Sequence, residues 1–361
     1  MLRKLRGFFQ SDSGRPYRLF QIESSLRCNL DCVMCPWADI HTPKAVMSWD
    51  TFSRIAQNFH LTHSVDLTGG GEPTLNPRLF DMVRAAKEAK CEVGFSTNGT
   101  RLDAEAAKTM LALGQDWVSF SLDGATAATY NRIRRGADFE VVTANIKTLH
   151  RLKTRQGSPT PKLILVFVMM QENYHDLPLY IDLAHNLGIE HVIIKNLDVI
   201  VKEEDNTRRL FSHTNEVTPT ELDALVAKTQ QQAHYAGIGL RLYALQPQEL
   251  PICEHNPLQS LFFNWSGDVF PCITLAYAAE RYFKGQRHIV PCQHFGNINH
   301  NSLEQIWNTT TFQEFRRPYQ ERLAQMQQAR LKLLSGGAES EITEMLPAPE
   351  GCRTCYYLYG V

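Results

Sequence analysis

At 361 residues the chain is long enough for two domains, each with an ample core, and its formal net charge of −1 offers no basic field for nucleic acid. Its longest apolar run, 163–170, suits a buried strand and is far too short to cross a bilayer, and the basic segment 1–9 lacks the apolar stretch and cleavage site of a secretory signal. Nine cysteines without such a signal argue against a secreted disulfide scaffold and for a reducing, cytoplasmic setting, with no membrane partner.

Residues 1–16 read as an N-terminal extension in which Leu2, Leu5 and Phe9 line one face of a short helix, a lid on the protein's own core more often than a membrane or partner anchor. From residue 17 to about 242, β-rich runs alternate with helical patterns. The strand runs are 18–24, 64–68, 91–96, 117–121, 162–170, 191–195 and 237–242. Ser48 caps a helix over 49–59, Asn76 and Pro77 open one over 78–89, and Asp103 opens 104–113, which stops at Gly114. Helices over 140–153 and 174–187, the latter ended by Gly188, complete the set. Such alternation predicts an α/β fold: a parallel sheet curled into a partial (β/α)6 TIM-like barrel, with ligands at the C-terminal strand ends.

Pro247, Pro251 and Pro257 mark a change of register, so the barrel is expected over 17–245 and a small cysteine-rich domain over 246–361. That tail holds five of the nine cysteines, then a long helix or a pair broken at Pro318 over 309–334, then a loop over 335–349.

Directly after the first strand run stand Cys28, Cys32 and Cys35, spaced C-x3-C-x2-C. Three thiolates can bind three irons of a cubane and leave the fourth iron open to a cofactor or substrate. The alternatives are a zinc knuckle or a structural cysteine cluster. Zinc usually takes four ligands, and the nearest further candidate, His41, is poorly spaced. Thr68-Gly69-Gly70-Gly71-Glu72-Pro73 follows the second strand run; glycines alone mark any tight turn, but these sit where a barrel binds its ligands.

The triplet and Gly70–Pro73 resemble the cysteine and GGEP motifs of the radical S-adenosylmethionine (SAM) enzymes. The resemblance implies that SAM chelates the open iron of a 4Fe–4S cluster and is cleaved by one electron to a 5'-deoxyadenosyl radical. It further implies that Gly70, Gly71, Glu72 and Pro73 hold the methionyl amino group. Ser96, before a turn that resembles the family's TNG, and Ser121, in a segment similar to its SLDG, would supply hydroxyls to SAM. Asn173 matches a family asparagine near the cofactor. Each serine taken alone also reads as a satisfied turn hydroxyl, and the convergence of three strand ends on one site favours the contact with SAM. Met34 stands where the family usually has an aromatic, and a methionine packs against adenine as well.

The tail order Cys253, Gly267-x4-Cys272, Cys352-x2-Cys355 resembles the SPASM/twitch extension of these enzymes. The last ligands of a full SPASM domain are missing, which implies the shortened form: one auxiliary 4Fe–4S cluster on Cys253, Cys272, Cys352 and Cys355. Cys91 reads as inert core. Cys292 is left as a fourth-ligand substitute, a packing residue, or a hydrogen-atom donor in an epimerisation. The expected activity is a radical SAM oxidoreductase acting on a small molecule such as a sugar or aminocyclitol, with flavodoxin or ferredoxin as electron donor. A peptide-modifying maturase or epimerase is the alternative, and a non-catalytic iron–sulfur carrier the alternative of another class.

Overall fold

The computed structural model describes residues 14–38, 40, 42–211, 220–334 and 345–361. Leu2, Leu5, Phe9, His41 and residues 335–344 of the expected loop lie outside the described residues.

The first part of the chain forms β1 (Tyr17–Ile22), α1 (Trp49–Ala56), β2 (Thr62–Asp66), α2 (Leu79–Glu88), β3 (Glu92–Thr97), α3 (Ala104–Leu113) and β4 (Trp117–Ser121). It continues through α4 (Ala127–Ile133), α5 (Phe139–Gln156), β5 (Lys162–Met169), α6 (Leu177–Asn186), β6 (His191–Asn196), α7 (Thr220–Tyr235) and β7 (Gly239–Leu242). Local chemistry sets the ends. The Ser48 hydroxyl accepts the Thr51 amide, Asp103 accepts the Ala106 amide, and Gly114 closes α3 at φ +62°, where a side chain would be strained. Every strand from β1 to β6 pairs in parallel with its successor. A chain that alternates strand and helix must do this, because each crossover helix returns it to the same sheet edge.

The sheet is open and has nine strands in the order β7-β6-β5-β4-β3-β2-β1-β8-β9. Its last two members come from the tail. β8 (Ser260–Phe263), buried at every position, runs parallel beside β1, and β9 (Val269–Phe270) folds back antiparallel on β8. The tail then forms the hairpin β10 (Ala279–Phe283) and β11 (Gln286–Val290), α8 (Leu303–Trp307), α9 (Thr310–Leu334) and α10 (Glu350–Arg353).

The helices depart from the sequence pattern at α4, α6 and α7, and of the two forms expected over 309–334 the single helix is adopted. α4 is a separate short helix between β4 and α5. The segment 174–187 begins as a 3-10 turn over Tyr174–Asp176, and only Leu177–Asn186 is α-helical. α9 runs through Pro318 unbroken. Tertiary contact overrides the missing amide there: Tyr319 and Arg322 are fully buried, and Arg322 donates to the carbonyls of Leu250 and Pro251.

Candidate functional site

The three N-terminal cysteines lie on the loop that leaves β1, and the glycine run leaves β2 beside it. The two are zipped together by backbone bonds: Gly71 donates to the Ser25 carbonyl at 3.1 Å and Glu72 to the Arg27 carbonyl at 2.7 Å. A Cβ on Gly71 would lie 2.3 Å from the Arg27 oxygen, and one on Gly69 would lie 2.1 Å from the Glu23 side chain. Glycine is therefore required by this close approach.

A cavity of about 240 Å³ opens between these loops at the C-terminal ends of the strands. Cys28, Cys32 and Cys35 line it, as do Gly70, Gly71, Glu72, Ser96 and Ser121. Met34 and Trp37 contribute apolar wall, and Asp198, past the end of β6, closes the far side. The Ser96 hydroxyl lies 2.6 Å from that of Ser119 on the next strand.

Glu72, Pro73 and Asn173 have side chains held within the protein. Glu72 stands in the wall, but its carboxylate is engaged within the protein: it accepts from the Thr74 amide and hydroxyl, the Thr97 hydroxyl and the Asn98 amide. It fastens the end of β3 to the glycine loop. Pro73 starts a buried 3-10 turn (Pro73–Leu75) and packs beneath the loop. Asn173, 1 % exposed, does not reach the cavity. It donates to the carbonyls of Asp123 and Val168 and accepts the Met170 amide, so it braces the exit of β5.

The structure also adds residues. Asp123, fully buried, takes Arg134 Nε at 2.6 Å and the Val168 amide at 2.6 Å, and Arg134 Nη1 approaches Cys32 Sγ at 3.9 Å. Burial pushes the Cys32 thiol up to about 11, and the guanidinium pulls against that rise. Asp123 sits within the segment that drew attention to Ser121, and Arg134 follows a helix that the sequence pattern did not separate. Asn98 donates to Asn29 at 2.9 Å and points its amide at Cys28.

The second cysteine group gathers in the tail. Cys253, Cys272, Cys352 and Cys355 all have raised thiol pKa values, first through burial; Cys253, Cys272 and Cys352 also feel the charge of others in the group, and Cys355 that of Arg281. The Cys272 sulfur lies 3.0 Å from the Thr274 hydroxyl. All nine cysteines are free thiols. Lys195 of β6 pairs with Asp198 at 3.0 Å and donates to the Tyr357 hydroxyl, two residues beyond Cys355, so the cavity wall is tied to the tail cysteines. Cys292 joins neither set. It is exposed, donates to the Ala276 carbonyl at 3.4 Å and lines a separate cavity of about 690 Å³ beside His294 and Glu314. That placement sets it apart from the cavity that Cys28, Cys32 and Cys35 line. Cys91 is core: it is 2 % exposed and donates to the Phe59 and Thr62 carbonyls.

Both cysteine sets fit an iron–sulfur cluster. Among the described residues no three His, Cys, Asp or Glu side chains converge on a single-ion site. Soft thiol donors without histidine or carboxylate suit iron–sulfur ligation.

Comparison with known proteins gives the same chemistry. The family model for the radical SAM superfamily matches residues 22–184, and that for an iron–sulfur cluster-binding (SPASM) domain matches residues 253–331. A tungsten-containing aldehyde ferredoxin oxidoreductase cofactor-modifying protein of Pyrococcus furiosus is 30% identical over 299 residues, 82% of either chain. A probable GTP 3',8-cyclase of Saccharolobus islandicus is 28% identical over 215 residues, 57% of this chain and 67% of the other. Among solved structures, Streptococcus suis SuiB bound to S-adenosylmethionine aligns with a TM-score of 0.60 at 14% identity, covering 83% of this chain and 68% of SuiB. Native anSMEcpe with bound AdoMet and Cp18Cys peptide aligns with a TM-score of 0.60 at 15% identity, covering 95% and 96%. Motif, cavity and relatives agree: the chain belongs to the radical SAM superfamily and carries a SPASM domain, and its cofactors are SAM, a 4Fe–4S cluster and auxiliary iron–sulfur.

Proposed function

We propose that the chain is a radical SAM oxidoreductase that removes hydrogen from a small molecule or cofactor, in a barrel domain over 17–245 closed by an auxiliary-cluster domain over 246–361. The observation that carries this reading is the convergence of three thiols, the glycine loop and two strand-end serines on one cavity. Cys28, Cys32 and Cys35 would hold the SAM-binding cluster, and Cys253, Cys272, Cys352 and Cys355 one auxiliary 4Fe–4S cluster. When bound, the first cluster supplies the electron for reductive cleavage of SAM.

The chain's own residues do the rest. Gly70 and Gly71 let the backbone approach the methionyl group, Ser96 and Ser121 offer hydroxyls, and Met34 and Trp37 exclude water from the reacting face. Arg134 favours the thiolate form of Cys32. Asp198 gives the substrate side of the cavity a hydrogen-bond acceptor. Relatives with substantial sequence identity carry names that refer to a cofactor and to GTP, which supports a small-molecule substrate. The peptide-bound structures are 14–15% identical and bear on the fold alone. Flavodoxin or ferredoxin is the proposed electron donor, and the cytoplasm the proposed setting.

The test is product analysis on anaerobically reconstituted protein given SAM and a chemical reductant. Release of 5'-deoxyadenosine is expected, and none would leave only an electron carrier. With substrate, loss of two hydrogens per turnover marks oxidation. Solvent deuterium in an otherwise unchanged product would instead mark an epimerase.

A further inference from the structure

We propose that Arg281 is the counter-charge of the auxiliary cluster and raises its reduction potential. The inference rests on the reading of Cys253, Cys272, Cys352 and Cys355 as one ligand set. Arg281 lies on the buried face of β10 and is 5 % exposed. One of its terminal nitrogens donates to the Thr274 carbonyl, and the Thr274 hydroxyl in turn contacts Cys272 Sγ at 3.0 Å. Its Nε is buried without a hydrogen-bond partner. Among the described residues no carboxylate lies within ion-pair distance of it. The charges it feels most are those of Cys355, Cys272 and Cys352, with Asp198 behind them.

A guanidinium cannot discard its proton, so burying one without an anion is costly. Neutral thiols provide no anion. Four thiolates on a 4Fe–4S core carry a net charge of about −2 when oxidised and −3 when reduced. The site therefore balances the cation only when a cluster is there, and balances it better after one electron has entered. Arg134 at the barrel cysteines makes the contrast. Asp123 pairs with it at 2.6 Å and offsets part of the field it offers Cys32.

The experiment is a potentiometric titration followed by electron paramagnetic resonance on the full-length Cys28→Ala/Cys32→Ala/Cys35→Ala protein, which retains only the tail set. Arg281→Gln should keep the iron and move the midpoint downward by at least tenfold in the reduction equilibrium, about 59 mV for one electron. Arg281→Lys, which keeps the charge, should stay within that tenfold of the parent. Assembly of the cluster in Arg281→Lys but not in Arg281→Gln would also support a charge requirement. Equal midpoints in parent and Arg281→Gln, or failure of both variants to assemble, would overturn the inference and leave the cluster assignment intact. A parent that binds no iron would instead remove the ligand set, and the inference with it.

Discussion

The Tyr277 hydroxyl donates to one oxygen of Glu23 while the Gly70 amide donates to the other at 2.8 Å, so a single buried carboxylate joins the tail to the glycine loop. The Trp265 amide adds a third bond, again from the tail, at 3.3 Å. Three donors face this carboxyl group, and burial still pushes it from 4.5 up to about 7. The folded protein therefore holds a proton between these values that the unfolded chain has lost. This contribution is full below about pH 4.5 and disappears as pH rises through about 7, amounting to about 3 kcal/mol. Asp66, pushed up to about 6 by burial, acts in the same direction. Urea unfolding from pH 5 to 8 should show stability falling with pH, with a visibly shallower fall in Glu23→Gln. Identical slopes in the two proteins would mean that Glu23 does not titrate here.

The barrel cysteines should account for half of the metal. Reconstituted protein is expected to bind about eight irons and eight sulfides. Cys28→Ala/Cys32→Ala/Cys35→Ala should bind about four and release no 5'-deoxyadenosine. A triple variant that still cleaved SAM would place the chemistry away from the cavity.

Ser121→Ala and Gly71→Val should separate cofactor contact from loop packing. The first removes one hydroxyl from the cavity wall and should weaken SAM binding about fivefold, the equivalent of ~1 kcal/mol, with iron content unchanged. The second places a branched side chain against backbone, since even a Cβ would sit 2.5 Å from the Leu26 carbonyl carbon. It should therefore lose iron as well as SAM affinity, because the cysteine loop itself must move. Iron analysis beside equilibrium binding of SAM reads both. Full iron in Gly71→Val would show that the loops tolerate separation.

What could be read from the sequence was local. Ser48, Asp103 and Gly114 announce helix ends because capping needs only a few adjacent residues. Cys28, Cys32, Cys35 and Gly70-Gly71 are legible because their chemistry lies in contiguous motifs. What escaped depends on distant partners. Glu23 and Tyr277 are 254 residues apart, and Asp123 answers Arg134 only through the path of α4. β8 is buried at every position, so its pattern has no period and cannot say that β1 is its neighbour. Asn173 shows the converse: the position matches a motif, and in the fold the backbone around β5 takes its hydrogen bonds. Arg281 has no sequence signal at all, since only the fold brings a lone arginine into a cysteine-lined interior.

The tail cysteines make the last prediction. Cys352 and Cys355 flank the end of α10 and form with Cys253 and Cys272 a group whose thiols are all raised by burial, whereas Cys292 is exposed and faces another cavity. Cys352→Ala/Cys355→Ala should remove about half of the iron. Uncoupled cleavage of SAM should persist, because the barrel cavity keeps its own three thiols. Substrate turnover should fall sharply, since Lys195 and Tyr357 tie this segment to Asp198 in the cavity wall and that wall would loosen with the cluster. Cys292→Ala should keep its iron and its turnover. Iron loss in Cys292→Ala would make it a ligand after all. Full iron in the double variant would mean that the four buried thiols pack against one another without binding a cluster, and the auxiliary assignment would fall.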